Sequence, residues 1–278
     1  MHGEYLLDSA AAQTGQRFYG LEATFDGATC RYLAATGVGA GWSCWEIGAG
    51  GGSIARWLAG QVAPGGSVLA TDLEIKWMPA EPVAVRVERH DVTADPIPEN
   101  AYDLIHARLV LVHLPGRDQI LAALAAALRP GGWLVVEDFD TAFDDGTRPA
   151  TADEAFLRYV NHAFTQMLAL RGGDTSYPRM LPHRLERAGL VQVGGEGRLV
   201  FARGGSAGAG VHVANLRQVG GQMVAAGVVT SEQISRSVCL PEDPALIWAM
   251  PLMISAWGRK PQGAALRTVA RRPSEPQS

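Results

Sequence analysis

The stretch with the most chemical meaning is WEIGAGGGSIARWL, residues 45–58, in which an apolar run ending at Ile47 meets glycines at 48, 50, 51 and 52. A helix is predicted to open near Ser53. Glycine lets a backbone turn sharply and lets a ligand approach it closely, and a helix N-terminus offers free N–H groups. Such a turn suits a nucleotide-like ligand, although a tight strand-to-helix connection with no ligand would use similar residues. Two acidic residues narrow the reading. Asp72 closes VLATD, 20 residues after Gly52, where a carboxylate in a doubly wound sheet can accept both ribose hydroxyls, with Leu73 beside it. Asp91 in RHDV suits an exocyclic amino group, and Val92 adds its backbone N–H.

These residues need strands to place them. Short apolar runs at Trp42 to Ile47, Val68 to Asp72, Val83 to Val87, Tyr102 to Ala107 and Trp133 to Glu137 alternate with helix-like segments, which argues for a mainly parallel sheet covered on both faces. Leu21, Phe25, Tyr32 and Leu33 recur at helical spacing ahead of Gly37, Gly39 and Gly41, predicting a helix on the edge of that sheet. Asp118 to Leu128 reads as a helix stopped by Arg129, Pro130, Gly131 and Gly132. Beyond Glu137 the pattern changes. Asp153 to Leu170 predicts an inserted helix with Phe156, Val160, Phe164 and Met167 on one face and Tyr159, His162 and Gln166 on a flank. A short helix over Pro182 to Ala188, a loop over Arg203 to Gly210, a helix or helix pair over Val211 to Ala226 and a closing strand over Leu252 to Trp257 complete the reading.

From about Leu33 to Asp140 the chain resembles the class I S-adenosylmethionine-dependent methyltransferases, in particular the small-molecule group that includes ubiquinone and menaquinone C-methyltransferases. Glu46, Gly48, Gly50 and Gly52 match the first motif, an acidic residue followed by GxGxG. The resemblance implies that this loop holds the methionine part of S-adenosyl-L-methionine, that Asp72 holds the ribose, and that Asp91 and Val92 meet the adenine. Asp103, His106 and Ala107 match the fourth motif in YDLIHARLVLVHLP, and LRPGGWLVVED resembles the approach to the fifth strand. The resemblance weakens after Asp140 and says nothing of the acceptor. An NAD-dependent oxidoreductase is the nearest competitor, but its GxGxxG register needs glycine where Ser53 stands. A protein that binds the cofactor without transferring methyl is a further alternative.

Methyl transfer is an in-line displacement, accelerated chiefly by alignment, and a base is useful only when the acceptor must lose a proton. Ligands in open α/β sheets bind outside the carboxyl ends of strands. Candidate catalytic residues are therefore His106 after the fourth strand, Asp138 after the fifth and His162 on the inserted helix, with His106 also a candidate cofactor contact. Candidate acceptor contacts are Tyr5, Phe18, Arg108, Tyr159, His162 and Tyr177. Tyr5 and Phe18 could close over the cofactor, since aromatic faces attract a sulfonium. For Arg108 and Asp138 the competing reading is an ion pair, for His113 a packed or capping role, and for Tyr159 and His162 a polar flank of a core helix.

A hydrophobic content of 47%, a charged content of 19% and a net charge of −4 describe a globular chain and disfavour a nucleic-acid partner. Cys30, Cys44 and Cys239 are odd in number and far apart, which predicts neither a disulfide framework nor a zinc site and fits a reducing cytoplasm. The apolar stretch Ala245 to Trp257 contains Pro251 and is too short for a bilayer, so no membrane partner is expected. The expected fold is a doubly wound, seven-stranded, mostly parallel α/β sheet of the Rossmann-like methyltransferase type. Its expected divisions are an N-terminal helical cover over 1–36, a cofactor core over 37–140, a helical insertion over 141–181, a C-terminal part of the core over 182–260 and a flexible tail over 261–278. The expected partner is a small, hydrophobic or aromatic acceptor such as a natural product, a homodimer being compatible with the sequence, and no metal is expected.

Overall fold

The computed structural model describes residues 6–7, 12–78, 82–143 and 148–262. Nine strands are described: β1 (Ser43–Ile47), β2 (Ser67–Asp72), β3 (Val85–Arg89), β4 (Tyr102–Arg108), β5 (Leu128–Asp140), β6 (Val191–Arg198), β7 (Phe201–Arg203), β8 (Ile247–Ala249) and β9 (Leu252–Arg259). Seven of them form one sheet in the order β3-β2-β1-β4-β5-β9-β6. The first five are parallel, and β9 runs antiparallel between β5 and β6. The chain winds outward from β1 to β3 and then returns to β4, so the switch point lies between the carboxyl ends of β1 and β4. This is the doubly wound, seven-stranded, mostly parallel Rossmann-like sheet that the sequence predicts.

The helices are α1 (Thr14–Ala35), α2 (Ser53–Val62), α3 (Arg117–Ala127), α4 (Ala152–Leu170), α5 (Leu181–Arg187), α6 (Ala207–Ala225) and α7 (Ser231–Cys239). Strand alternation sends Trp45, Ile105, Leu134 and Val136 into a core beneath α3 and α5, while Cys44, Leu104 and Val135 join Leu58 and Val62 of α2 on the other face. A third cluster joins Val160 and Met167 of α4 to Leu216 and Val219 of α6 and takes in Leu6 and Leu7. Local signals fix the later helices. Thr151 accepts from Glu154 N at the start of α4, Ser206 from Ala209 N at the start of α6, and Thr230 forms a capping box with Gln233 on α7.

Several expectations change. β3 starts at Val85, because a turn in which Val85 N donates to Pro82 O at 2.8 Å precedes it and leaves Val83 in solvent. The first helix begins at Thr14, ahead of Leu21, and it covers the sheet's face over β4 and β5 instead of its edge. It is held there by α6, which approaches closely at Gly20: a Cβ at that position would lie 2.5 Å from Val211 Cγ2. β5 starts at Leu128, so the expected helix stop at Arg129 to Gly132 lies within its paired length. Arg203 belongs to β7, which pairs with β8 in a separate ribbon, and α6 is one continuous helix.

Candidate functional site

The glycine turn lies at the carboxyl end of β1, at the switch point. Gly48, Gly50 and Gly52 have φ of 66°, 56° and 79°, a left-handed region that side chains with a Cβ adopt at a cost. The turn is tied to β2 on one side. Ala49 N donates to Thr71 O at 2.9 Å and Gly50 N to Asp72 Oδ2 at 3.0 Å, while Asp72 Oδ1 accepts Glu74 N at 3.2 Å. On the other side Phe18 lies 3.2 Å from where a Cβ of Gly50 would stand, Glu22 of α1 faces Gly51, and Val110 faces Gly48. Trp77 meets Phe18 edge-on with centroids 6.4 Å apart. Leu109, with φ of 59°, makes the reversal after β4 that delivers Val110. Leu73 is half exposed.

At the end of β3, Asp91 Oδ1 accepts Thr93 N at 2.9 Å and Thr93 Oγ1 at 2.6 Å, and Asp91 N donates to Asp95 Oδ2 at 2.8 Å. This fixes a tight turn that sets Asp91 and Val92 at the sheet's carboxyl edge. Asp72, Leu73, Asp91 and Val92 therefore follow the ends of adjacent strands beside the glycine turn, an arrangement suited to a nucleoside.

Behind the turn, buried polar groups cross the sheet. Glu46, His106, Glu137 and Ser255 come from β1, β4, β5 and β9, all on the α1 face. His106 Nδ1 lies 2.7 Å from Glu46 Oε2 and Nε2 lies 3.1 Å from Glu137 Oε2. Thr29 of α1 donates to Glu137 Oε2 and Ser255 to Glu137 Oε1, each at 2.5 Å. Burial alone would depress His106, but the two carboxylates outweigh it and push it up to about 9. Burial also opposes ionisation of Glu137, yet its hydrogen bond to His106 and the imidazolium charge hold it below the usual carboxylate range. His106 is thus a fully buried imidazolium with both N–H groups engaged, and no ring nitrogen is left to accept a proton. Arg108 donates to Thr29 at 2.9 Å and to Asp26 at 2.8 Å, which ties it to α1. Ala107 is packed in the core beneath α3.

Asp138 points to the opposite face. Val112 N donates to its Oδ2 at 3.2 Å, and Oδ1 is buried without a partner. Burial pushes this carboxyl up to about 8 against the lowering effect of the Val112 and Val110 N–H groups. His113, on the same loop, is driven down to about 3 by burial and by the charges of Arg17 and Arg117. Tyr177 is buried under this face between the guanidinium groups of Arg184 and Arg117, 4.4 and 5.5 Å from its ring, and its hydroxyl has no partner. Asp140 is paired with Arg179 at 2.8 Å.

The inserted-helix candidates sit elsewhere. Tyr159 is exposed and donates to Val228 O at 3.3 Å beside the α6–α7 connection, and His162 meets Gln166 at 3.1 Å on an exposed flank. The glycine turn is closed instead by Phe18, Glu22 and Val110. Tyr5 lies outside the described residues. Among the described residues, no group of three or more His, Cys, Asp or Glu side chains is placed to hold a metal ion. The sequence reading did not single out Glu22, Trp77, Val110, Thr29, Glu137 or Ser255. Strand alternation carried a signal for Glu137, two residues after Val135 on the face shared with His106 and Glu46.

The chain resembles proteins of known type in sequence and in fold. It is 39% identical over 145 residues to methyltransferase str2 of Strobilurus tenacellus, covering 51% of this chain and 50% of that protein. It is 33% identical over 108 residues to methyltransferase GfsG of Streptomyces halstedii, covering 36% of this chain and 39% of that protein. The matches thus span half or less of these relatives. The fold is similar to that of phosphoethanolamine N-methyltransferase 2 of Haemonchus contortus, solved with phosphomonomethylethanolamine and S-adenosylhomocysteine, at a TM-score of 0.56, 15% identity and coverage of 90% of this chain and 58% of that one. It is also similar to the YcgJ protein of Bacillus subtilis, at a TM-score of 0.53, 15% identity and coverage of 85% and 100%. A family model described as a methyltransferase domain matches residues 19–192, more than half of the chain, and the protein belongs to that methyltransferase family.

Proposed function

We propose that this protein transfers a methyl group from S-adenosyl-L-methionine to an oxygen, nitrogen or carbon atom of a small, hydrophobic or aromatic acceptor such as a natural product. The observation that carries this is the left-handed glycine turn at the switch point, bonded through Gly50 N to Asp72 at the end of β2. The residues fit the cofactor by their chemistry. Side chains at Gly48, Gly50 and Gly51 would strike Val110, Phe18 and Glu22, so the glycines let α1 and the loop after β4 lie against the turn; the Asp72 and Asp91 carboxylates suit ribose hydroxyls and an adenine amino group, and Phe18 and Trp77 offer aromatic surface to a sulfonium. The cofactor supplies the activated methyl group. The protein's part is to hold the acceptor in line and to exclude water. His106, locked between two carboxylates, is a positioning residue in this reading, and Asp138 is the group offered to an acceptor proton.

Ser53 opens α2 where a dinucleotide site would place its third glycine, which supports the methyltransferase reading over NAD chemistry. Titration calorimetry is the direct test. S-adenosylhomocysteine should bind and NAD should not at comparable concentration, and binding of NAD alone would defeat the proposal. Three free cysteines support a reducing, cytoplasmic setting. No helix among the described residues is long and apolar enough to cross a membrane.

A further inference from the structure

Among the described residues, no carboxylate pairs with the guanidinium of Arg17. It lies on α1, is 5% exposed, and its Nε and Nη1 are buried without a hydrogen-bond partner. A guanidinium keeps its charge on burial, and an isolated buried charge is strongly disfavoured unless something of opposite sign completes it.

Its position says what that something is. The guanidinium carbon lies 5.4 Å from the ring of Phe18, and that ring lies 3.2 to 3.4 Å from the Cβ position of Gly50. Its charge also reaches His113, on the loop after β4. Arg17 therefore stands beside the aromatic cover of the glycine turn and near enough to the loop after β4 for its charge to act there. The other ionic groups near the turn are acids or are already engaged. Asp72 accepts Gly50 N, and Glu46 is bound to His106. Glu22 faces Gly51, Arg108 is held by Asp26 and Thr29, and Arg56 donates to Gly51 O at 2.9 Å. An anionic group entering this acidic surrounding needs a cation, and among the described residues Arg17 is a buried one that no carboxylate meets.

We infer that Arg17 is the counter-charge for the carboxylate at the amino-acid end of the cofactor, an assignment that rests on the methyltransferase reading and adds to it a residue on the N-terminal cover. Because α1 carries both Arg17 and Phe18, one helix would meet the amino-acid end of the ligand and cover the glycine turn. The nucleoside end is served by Asp72 and Asp91 without it.

The test is calorimetry on the full chain with two probes, S-adenosylhomocysteine and 5′-methylthioadenosine, which keeps the nucleoside thioether and lacks the amino-acid end. In Arg17→Gln the affinity for S-adenosylhomocysteine should fall about 10- to 100-fold, as for loss of a charged hydrogen bond, with 5′-methylthioadenosine binding unchanged and partial recovery in Arg17→Lys. Unchanged S-adenosylhomocysteine affinity, or an equal fall for both probes, overturns the assignment. Should Arg17→Gln not fold, the native protein still decides it: the decarboxylated analogue of S-adenosylhomocysteine should bind at least about 10-fold more weakly, and equal binding overturns the assignment. Native protein that fails to bind S-adenosylhomocysteine would instead defeat the methyltransferase reading itself.

Discussion

Under α1, Glu46, His106, Glu137 and Ser255 cross four adjacent strands with each contact answered by a neighbour, whereas on the opposite face Asp138 and Tyr177 are just as buried and each keeps an oxygen that nothing meets. The two faces carry similar residue types at similar depth, so type and burial do not separate structure from chemistry. Partners do. A histidine donating to two carboxylates is a strut between strands, because moving its proton would break both contacts. A carboxyl held near neutrality with an unused oxygen can still exchange a proton with a ligand. The comparison is between His106 and Asp138, and it can be broken from either end.

The largest effect is expected at His106. His106→Leu would leave Glu46 and Glu137 buried without the imidazolium between them, and removing one partner from such a network costs about 3 to 5 kcal/mol. Urea unfolding should show that loss, and a loss under about 1 kcal/mol would mean that the carboxylates are already protonated or hydrated. The sign of the pH dependence follows from the same contacts. The folded pKa of His106, about 9, stands above its ordinary 6.5. Its contribution to stability is therefore complete below the lower value and is lost as pH rises through the higher one. The His106→Leu variant should lack that alkaline decline.

Asp72→Ala should come next, because Asp72 serves both the ligand and the turn. Losing a hydrogen bond to a charged group weakens binding by about 1.5 to 3 kcal/mol, and release of Gly50 N adds disorder to the cradle. Calorimetry with S-adenosylhomocysteine measures this, and an unchanged affinity would place the ribose elsewhere.

Asp138→Asn tests the open face. Burial raises the Asp138 carboxyl from 3.8 to about 8, so the fold favours the protonated form and is progressively destabilised as pH rises through that interval. Asn keeps the shape and removes the ionisation, so the variant's stability should vary less with pH between those values. If Asp138 also takes a proton from the acceptor, methyl transfer in the native protein should rise through about pH 8, and the rise should vanish in Asp138→Asn. A native rate without that limb would leave Asp138 a buried structural acid.

The glycine turn and the strand ends beside it were legible because they are written in backbone requirements. Gly48, Gly50 and Gly52 stand where φ is positive, and Asp72 and Asp91 stand at strand ends that the apolar runs locate. The polar row was legible only in part. His106 was visible as a histidine at a strand end, but its fate depended on Glu137 and Ser255, 31 and 149 residues further along the chain and brought alongside by sheet pairing. Helical periodicity located α4, yet it could not say which flank faces the sheet. That was decided by α6 and α7, whose packing against α4 buries Val160, Ala163 and Met167 and leaves Tyr159 and His162 outside. The ribbon of β7 and β8 pairs segments far apart in sequence, and three-residue strands carry too little pattern to be seen beforehand.

The smallest effect belongs to that flank, and it sharpens the distinction between an aromatic residue near a site and one that serves it. Tyr159 is 48% exposed, and its hydroxyl reaches only Val228 O, at 3.3 Å. His162 meets Gln166 one helical turn away in full view of solvent, where a hydrogen bond competes with water at little net gain. Tyr159→Ala and His162→Ala should therefore each change stability by no more than about 0.5 kcal/mol and leave S-adenosylhomocysteine affinity unchanged. Thermal unfolding and calorimetry read both quantities, and turnover supplies the decisive third. If either variant loses turnover while stability and cofactor affinity hold, this flank meets the acceptor after all. The acceptor would then approach along α4 and α7, on the outer side of the cover, and not through the space between α1 and the loop after β4.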